Sequence, residues 1–103
     1  MLGNIQVLRA KREAMRANIL MVLYTAHPYA ATEQTILLTL RDAGEEQLVQ
    51  DELRRDLEYL SEKELIRVHD KERNAWRCEL TAYGIDVVEG AKKTPPGIAK
   101  LFS

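Results

Sequence analysis

Between Ile66 and Leu80 the chain changes its period. Ile66 and Val68 alternate with Arg67 and His69. Trp76, Cys78 and Leu80 alternate with Arg77 and Glu79, and the polar stretch Asp70-Lys71-Glu72-Arg73-Asn74 lies between. A repeat of two with one apolar side is the mark of a half-buried strand, so this segment predicts a hairpin with a charged tip. Two strands alone are marginal in water and must lean on other elements. The rest of the chain has helical spacing. The expected class is therefore mostly α with a small β-hairpin (α+β).

A first helix is expected over about Asn4 to Ala26, where Ile5, Leu8, Met15, Ile19, Val22, Leu23 and Ala26 recur at spacings of three, four and seven. Pro28 ends it, because the residue before a proline is pushed out of the α region. Thr32 is a good N-cap for a second helix with Glu33 in its first turn and Ile36, Leu37 and Leu40 as its apolar stripe; Gly44 closes it. A third helix runs from about Val49 to Lys63, with Val49, Leu53, Leu57 and Leu60 on one face and no strong cap at its start. After the hairpin, Thr81 caps a fourth helix with Ile85 and Val88 inward, and Gly84 permits a close backbone approach. Residues 1–94 read as one domain. Residues 95–103 are a tail, opened by Pro95-Pro96-Gly97 and carrying Ile98, Leu101 and Phe102.

A length of 103 residues suits one core. The formal net charge of −1 gives no global excess to hold a polyanion, so a nucleic-acid site would need local charge separation. One cysteine excludes an internal disulfide. The run Ile19–Tyr24 is too short to span a bilayer, and charges interrupt the first apolar residues, so the expected location is cytoplasmic, with no membrane partner.

The order helix, helix–turn–helix, hairpin, helix is carried by "LRRDLEYLSEKELIRV" and "WRCELTAYG". These stretches resemble ArsR-, MarR- and PadR-type winged-helix regulators. There a leucine-rich recognition helix runs into a glycine, Leu-Ile and a first wing strand, and the second strand closes with Leu-Thr-x-x-Gly. The resemblance covers about residues 5–91 and implies a winged helix-turn-helix with a long N-terminal helix. More narrowly, "MLGNIQVLRAKREAMRANIL", "DELRRDLEYL" and "LTAYGIDVVEGAKKTPPGI" resemble small winged-helix proteins encoded in Mu-like prophages, which implies a phage-derived origin. The chain departs from the pattern at Glu64, where the families usually have glycine; either a left-handed glutamate there costs about 1–2 kcal/mol, or the helix end is built differently.

In such folds the second helix of the helix–turn–helix enters the major groove. The resemblance thus makes double-stranded DNA the expected partner and transcription regulation the expected role. Gln50, Arg54 and Arg55 would contact bases or phosphates, with Lys71 and Arg73 on the wing. Charge argues the other way. Opposite the apolar stripe lie Asp51, Arg55, Glu58 and Glu62, and Asp51 with Arg55 and Arg54 with Glu58 stand at pairing distance along the helix. Phosphate affinity comes largely from Lys and Arg displacing counterions. The second reading is therefore a protein–protein interaction module that binds no DNA. Basic residues gather instead in the first helix (Arg9, Lys11, Arg12, Arg16) and near the C-terminus (Lys92, Lys93, Lys100), where they would form one patch if the termini meet. The long amphipathic first helix and the tail predict a homodimer through both.

Catalytic chemistry is not expected. His27 and His69 have no nucleophile arrangement nearby in sequence, and no glycine-rich phosphate loop is present. One Cys and two separated His make a poor metal set, so no metal or cofactor is expected. Cys78 and Trp76 share a strand face with Leu80 and read as core.

Overall fold

The computed structural model describes residues 2–101, without the side chain of Leu2. Phe102, which the sequence enlists in the association surface, lies outside the described residues. The elements are α1 (Leu2–Ala26), β1 (Ala31–Thr32), α2 (Glu33–Asp42), α3 (Gln50–Glu62), β2 (Ile66–His69), a 3-10 turn (Lys71–Arg73), β3 (Arg77–Leu80) and α4 (Ala82–Val88). Among the described residues the fold is mixed α+β: four helices, the first long, around a small antiparallel sheet.

The caps set the element starts. Thr32 Oγ1 accepts from Thr35 N at 3.1 Å, and Thr81 Oγ1 accepts from Gly84 N at 3.0 Å. Val49 precedes α3 without a side-chain cap, as its residue type requires. At the other end of α3, Glu64 adopts φ 64°, and Leu65 N donates to Leu60 O at 3.0 Å. This left-handed turn reverses the chain and delivers Leu65 and Ile66 to the core.

The hairpin forms with Ile66 opposite Leu80 and Val68 opposite Cys78. Its tip is turned by Asp70 and Asn74, both left-handed, a conformation their short polar side chains tolerate. A third strand, β1, was not anticipated. Two residues cannot show a period, yet Ala31 pairs with Cys78 and Thr32 with Arg77, so the order is β1-β3-β2.

One core gathers Ile19, Leu20 and Leu23 of α1, Ile36 and Leu40 of α2, Leu53, Leu57 and Leu60 of α3, and Leu65, Cys78, Leu80, Val87 and Val88. Gly84 sits where a Cβ would lie 2.1 Å from Leu65 O, so α4 can approach the start of β2 only because that residue is glycine. Val49 departs from the expected stripe: it stands ahead of α3 and stays 48 % exposed.

The two ends of the expected association surface behave differently. Residues 3–12 of α1 are exposed, with Ile5 at 55 %, Val7 at 57 % and Leu8 at 62 %. The C-terminal segment folds back instead. Ile98 is buried, Ala99 N donates to Glu13 O at 3.0 Å, Arg16 Nη1 donates to Gly97 O at 2.8 Å, and Tyr59 donates its hydroxyl to Pro96 O at 3.2 Å. The C-terminal segment therefore packs on the middle of α1, at Glu13 and Arg16. Ile98 is covered within its own chain and cannot also serve as a dimer contact there.

Candidate functional site

The junction of α2, α3 and the hairpin is organised by Glu33. This residue is buried in the first turn of α2, and four groups converge on its carboxylate. Arg54 Nε donates to Oε2 at 2.7 Å, and Arg54 Nη2 donates to Oε1 at 2.5 Å. Gln50 Nε2 and the Trp76 backbone N–H both donate to Oε1 at 3.3 Å. The Arg54 guanidinium lies 4.6 Å from the centroid of the Trp76 ring, which is itself buried, and Lys71 Nζ lies 5.0 Å from the same ring. The bidentate geometry is the strong form of an ion pair. The hydrogen bonds from Arg54 hold the Glu33 carboxyl below its ordinary value, against the opposing pull of burial, and Glu33 raises Arg54 in turn.

This placement changes the role of two expected contact residues. Arg54 turns inward to Glu33 and not along its own helix to Glu58. Its side chain is only 19 % exposed. Gln50 points to the same carboxylate. Lys71 is held over Trp76, and Arg73 is exposed at the hairpin tip. Gln50, Arg73, Trp76, Asp70, Asn74 and Arg77 border a cavity of about 460 Å³ beside this junction. Asp70 accepts from Arg77 Nε at 2.8 Å, which lowers the Asp70 carboxyl and ties the base of the tip.

Arg55 stands apart from the other four. One residue on, it is rotated by about 100° and faces α1, where it borders a cavity of about 300 Å³ with Arg12, Arg16, Glu58, Tyr59 and Glu62. It is exposed and makes no ion pair among the described residues. Among the exposed side chains of α3 itself, Asp51, Glu52, Glu58 and Glu62 stand against Arg55 alone, while Arg12 and Arg16 of α1 border the side that carries Glu58 and Glu62.

A second buried carboxylate lies on the other flank of α3. Asp56 accepts from Arg16 Nε at 3.1 Å, with Arg12 Nη2 at 3.7 Å. Arg16 also stacks on Tyr59, 3.7 Å from the ring centroid. Burial pushes the Asp56 carboxyl above its ordinary value despite both arginines. Part of the basic charge of α1 is therefore engaged with α3. Sequence reasoning missed Glu33 and Asp56 as anchors. Asp56 left a signal, since an acid one residue before Leu57 and three after Leu53 lies on the apolar stripe. Glu33 left none beyond its suitability for a helix start.

Cys78 is buried, and its surroundings push the thiol up to about 12, chiefly by burial. Among the described residues no group of three or more His, Cys, Asp or Glu is placed to hold a metal ion, and no helix is long and apolar enough to cross a membrane. Set against known protein families, curated proteins and solved structures, the chain has no match.

Proposed function

We propose that this chain is a winged-helix interaction module that receives a basic protein surface on the outer face of α3 and does not read DNA with that helix. The observation that carries this reading is the Arg54–Glu33 pair. An arginine committed to a bidentate buried carboxylate is removed from phosphate contact, and what remains outward on α3 is four carboxylates and one guanidinium. Such a face repels a phosphate backbone and complements lysine and arginine. The arrangement of α2, α3 and the hairpin supports the winged-helix assignment; a phage-derived origin rests on the sequence resemblance.

A second reading, a DNA-binding regulator, is favoured by a separate observation: Arg55, Lys71 and Arg73 are all exposed, and the C-terminal segment folds back onto α1, the helix that carries Arg9, Lys11, Arg12 and Arg16. One titration decides between them. Labelled duplex DNA is titrated at two salt concentrations with wild type, with Asp51→Asn/Glu58→Gln, and with Arg55→Ala/Lys71→Ala/Arg73→Ala. The module reading expects no salt-dependent binding by wild type. Binding by wild type that weakens steeply with salt, and is lost in the triple alanine variant, would establish the regulator instead.

A further inference from the structure

We infer that the cavity at the end of α4 is an oxyanion site that takes the phosphate group of a small ligand. It lies apart from α3 and does not rest on the reading of that helix. The cavity measures about 440 Å³ and is lined by Lys92, Lys93, Thr94 and Lys100 over buried Val87. That volume falls in the range of small-molecule sites, roughly 300–1,000 Å³. The local sequence builds it. Past α4 the chain turns left-handed at Gly90, with φ 81°, and the N–H groups of Ala91 and Lys92 both donate to Asp86 O, at 2.8 and 3.2 Å. Further on, Ala99 N is fixed to Glu13 O at 3.0 Å, and Lys100 follows. Both ends of the segment 92–100 line one space only because it folds back.

Charge names the ligand. The walls carry three ammonium groups and no carboxylate. The cavity beside the hairpin has Glu33 and Asp70 in its walls, and the one beside Arg55 has Glu58 and Glu62. None of the three lysines makes an ion pair among the described residues. The acids nearest along the chain do not neutralise them. Glu89 accepts from the Tyr24 hydroxyl at 2.7 Å, and neither Asp86 nor Glu13 pairs with a lysine among the described residues. In a chain of formal net charge −1, this is the local charge separation that an anion site needs. Like charges around one space repel, and an oxyanion of charge two or more relieves that repulsion. Lysine suits a phosphate: its ammonium is a compact point charge with rotatable donors, whereas a planar carboxylate is better matched by the fork of arginine. Half-buried Thr94 adds a hydroxyl donor to the same wall.

Amide NMR titration of the full chain with sodium pyrophosphate, at constant ionic strength, tests this. Wild type should saturate with a Kd of about 1 mM or tighter, its shifts centred on residues 90–94 and Lys100. Lys93→Gln/Lys100→Gln should weaken binding about tenfold or more and leave the rest of the spectrum unchanged, because both side chains are exposed. Lys11→Gln/Lys71→Gln removes the same charge elsewhere and should stay within about twofold of wild type. Two further arms identify what carries the phosphate. A nucleoside diphosphate that displaces pyrophosphate at the same amides assigns a soluble ligand. Flotation with phosphoinositide-bearing vesicles, lost in Lys93→Gln/Lys100→Gln, assigns a lipid headgroup. Shifts that grow without saturating, or an equal loss of affinity in the two double variants, would overturn the inference. So would binding to duplex DNA that depends on Lys93 and Lys100 without a saturable pyrophosphate site, since the lysines would then serve a polyanion. The DNA titration of the α3 and hairpin variants leaves these lysines intact, so failure of one proposal is distinguishable from failure of the other.

Discussion

Glu33→Gln tests the organisation of the α3 junction most directly. Glutamine keeps the length and one acceptor oxygen but loses the charge, and its amide nitrogen faces either Arg54 or Trp76 N–H as a donor against a donor. The wild-type carboxylate accepts two charged hydrogen bonds from Arg54, at 2.7 and 2.5 Å, plus longer ones from Gln50 and Trp76. Removing one partner of a buried ion pair costs about 3–5 kcal/mol, because the other charge is stranded. Arg54 retains 19 % exposure and stays over the Trp76 face, which relieves part of that penalty. The expected loss is therefore about 2–4 kcal/mol, a large share of the roughly 5–15 kcal/mol that holds a domain together. Urea midpoints would measure it. The pH dependence gives an independent check. Glu33 has a folded-state pKa below its ordinary 4.5, so its contribution is complete above that value and is lost as pH falls through the lower folded value. The gap between wild type and Glu33→Gln should be constant near neutrality and shrink only below about pH 4.5. A gap under about 0.5 kcal/mol at pH 7, or one that persists unchanged down the acid limb, would refute this account of the junction.

Gly84→Ala should destabilise by about 3–4 kcal/mol, from about 3 for overpacking against Leu65 backbone and 1–2 for disturbed hydrogen bonds from Thr81 to Leu65 O, less about 1 gained in helix propensity. Denaturant titration giving the mild stabilisation usual for glycine to alanine in a helix would show that this approach is not close. Cys78, buried and with its thiol pushed up to about 12, should resist a thiol reagent at pH 8 in native protein and react in urea. Equal rates in the two states would place it at the surface.

Much of this fold is written locally. The hairpin was legible because a period of two is a property of neighbouring residues, and Thr32 and Thr81 were legible as caps because a cap acts over three residues. Gly84 announced a close approach, which holds in the structure; at Glu64 the sequence left open a left-handed cap or a differently built helix end, and the structure has the left-handed one. Partnerships between elements were not legible. Arg54 sits four residues from Glu58 in sequence, yet its partner Glu33 lies 21 residues away on α2, because folding lowers that carboxylate beside a buried tryptophan where a bidentate arginine is worth more than a solvated neighbour. Periodicity likewise cannot separate an apolar stripe that meets a core from one that outruns it: Ile19 and Leu8 have the same pattern, and only the size of the folded body leaves one buried and the other in water. Composition and period determined the four helices and the hairpin, while the two-residue β1 formed only because the fold sets it beside β3. The packing of α1, α2 and α3 around one small sheet decided which charges are spent inside and which surfaces remain to meet a partner.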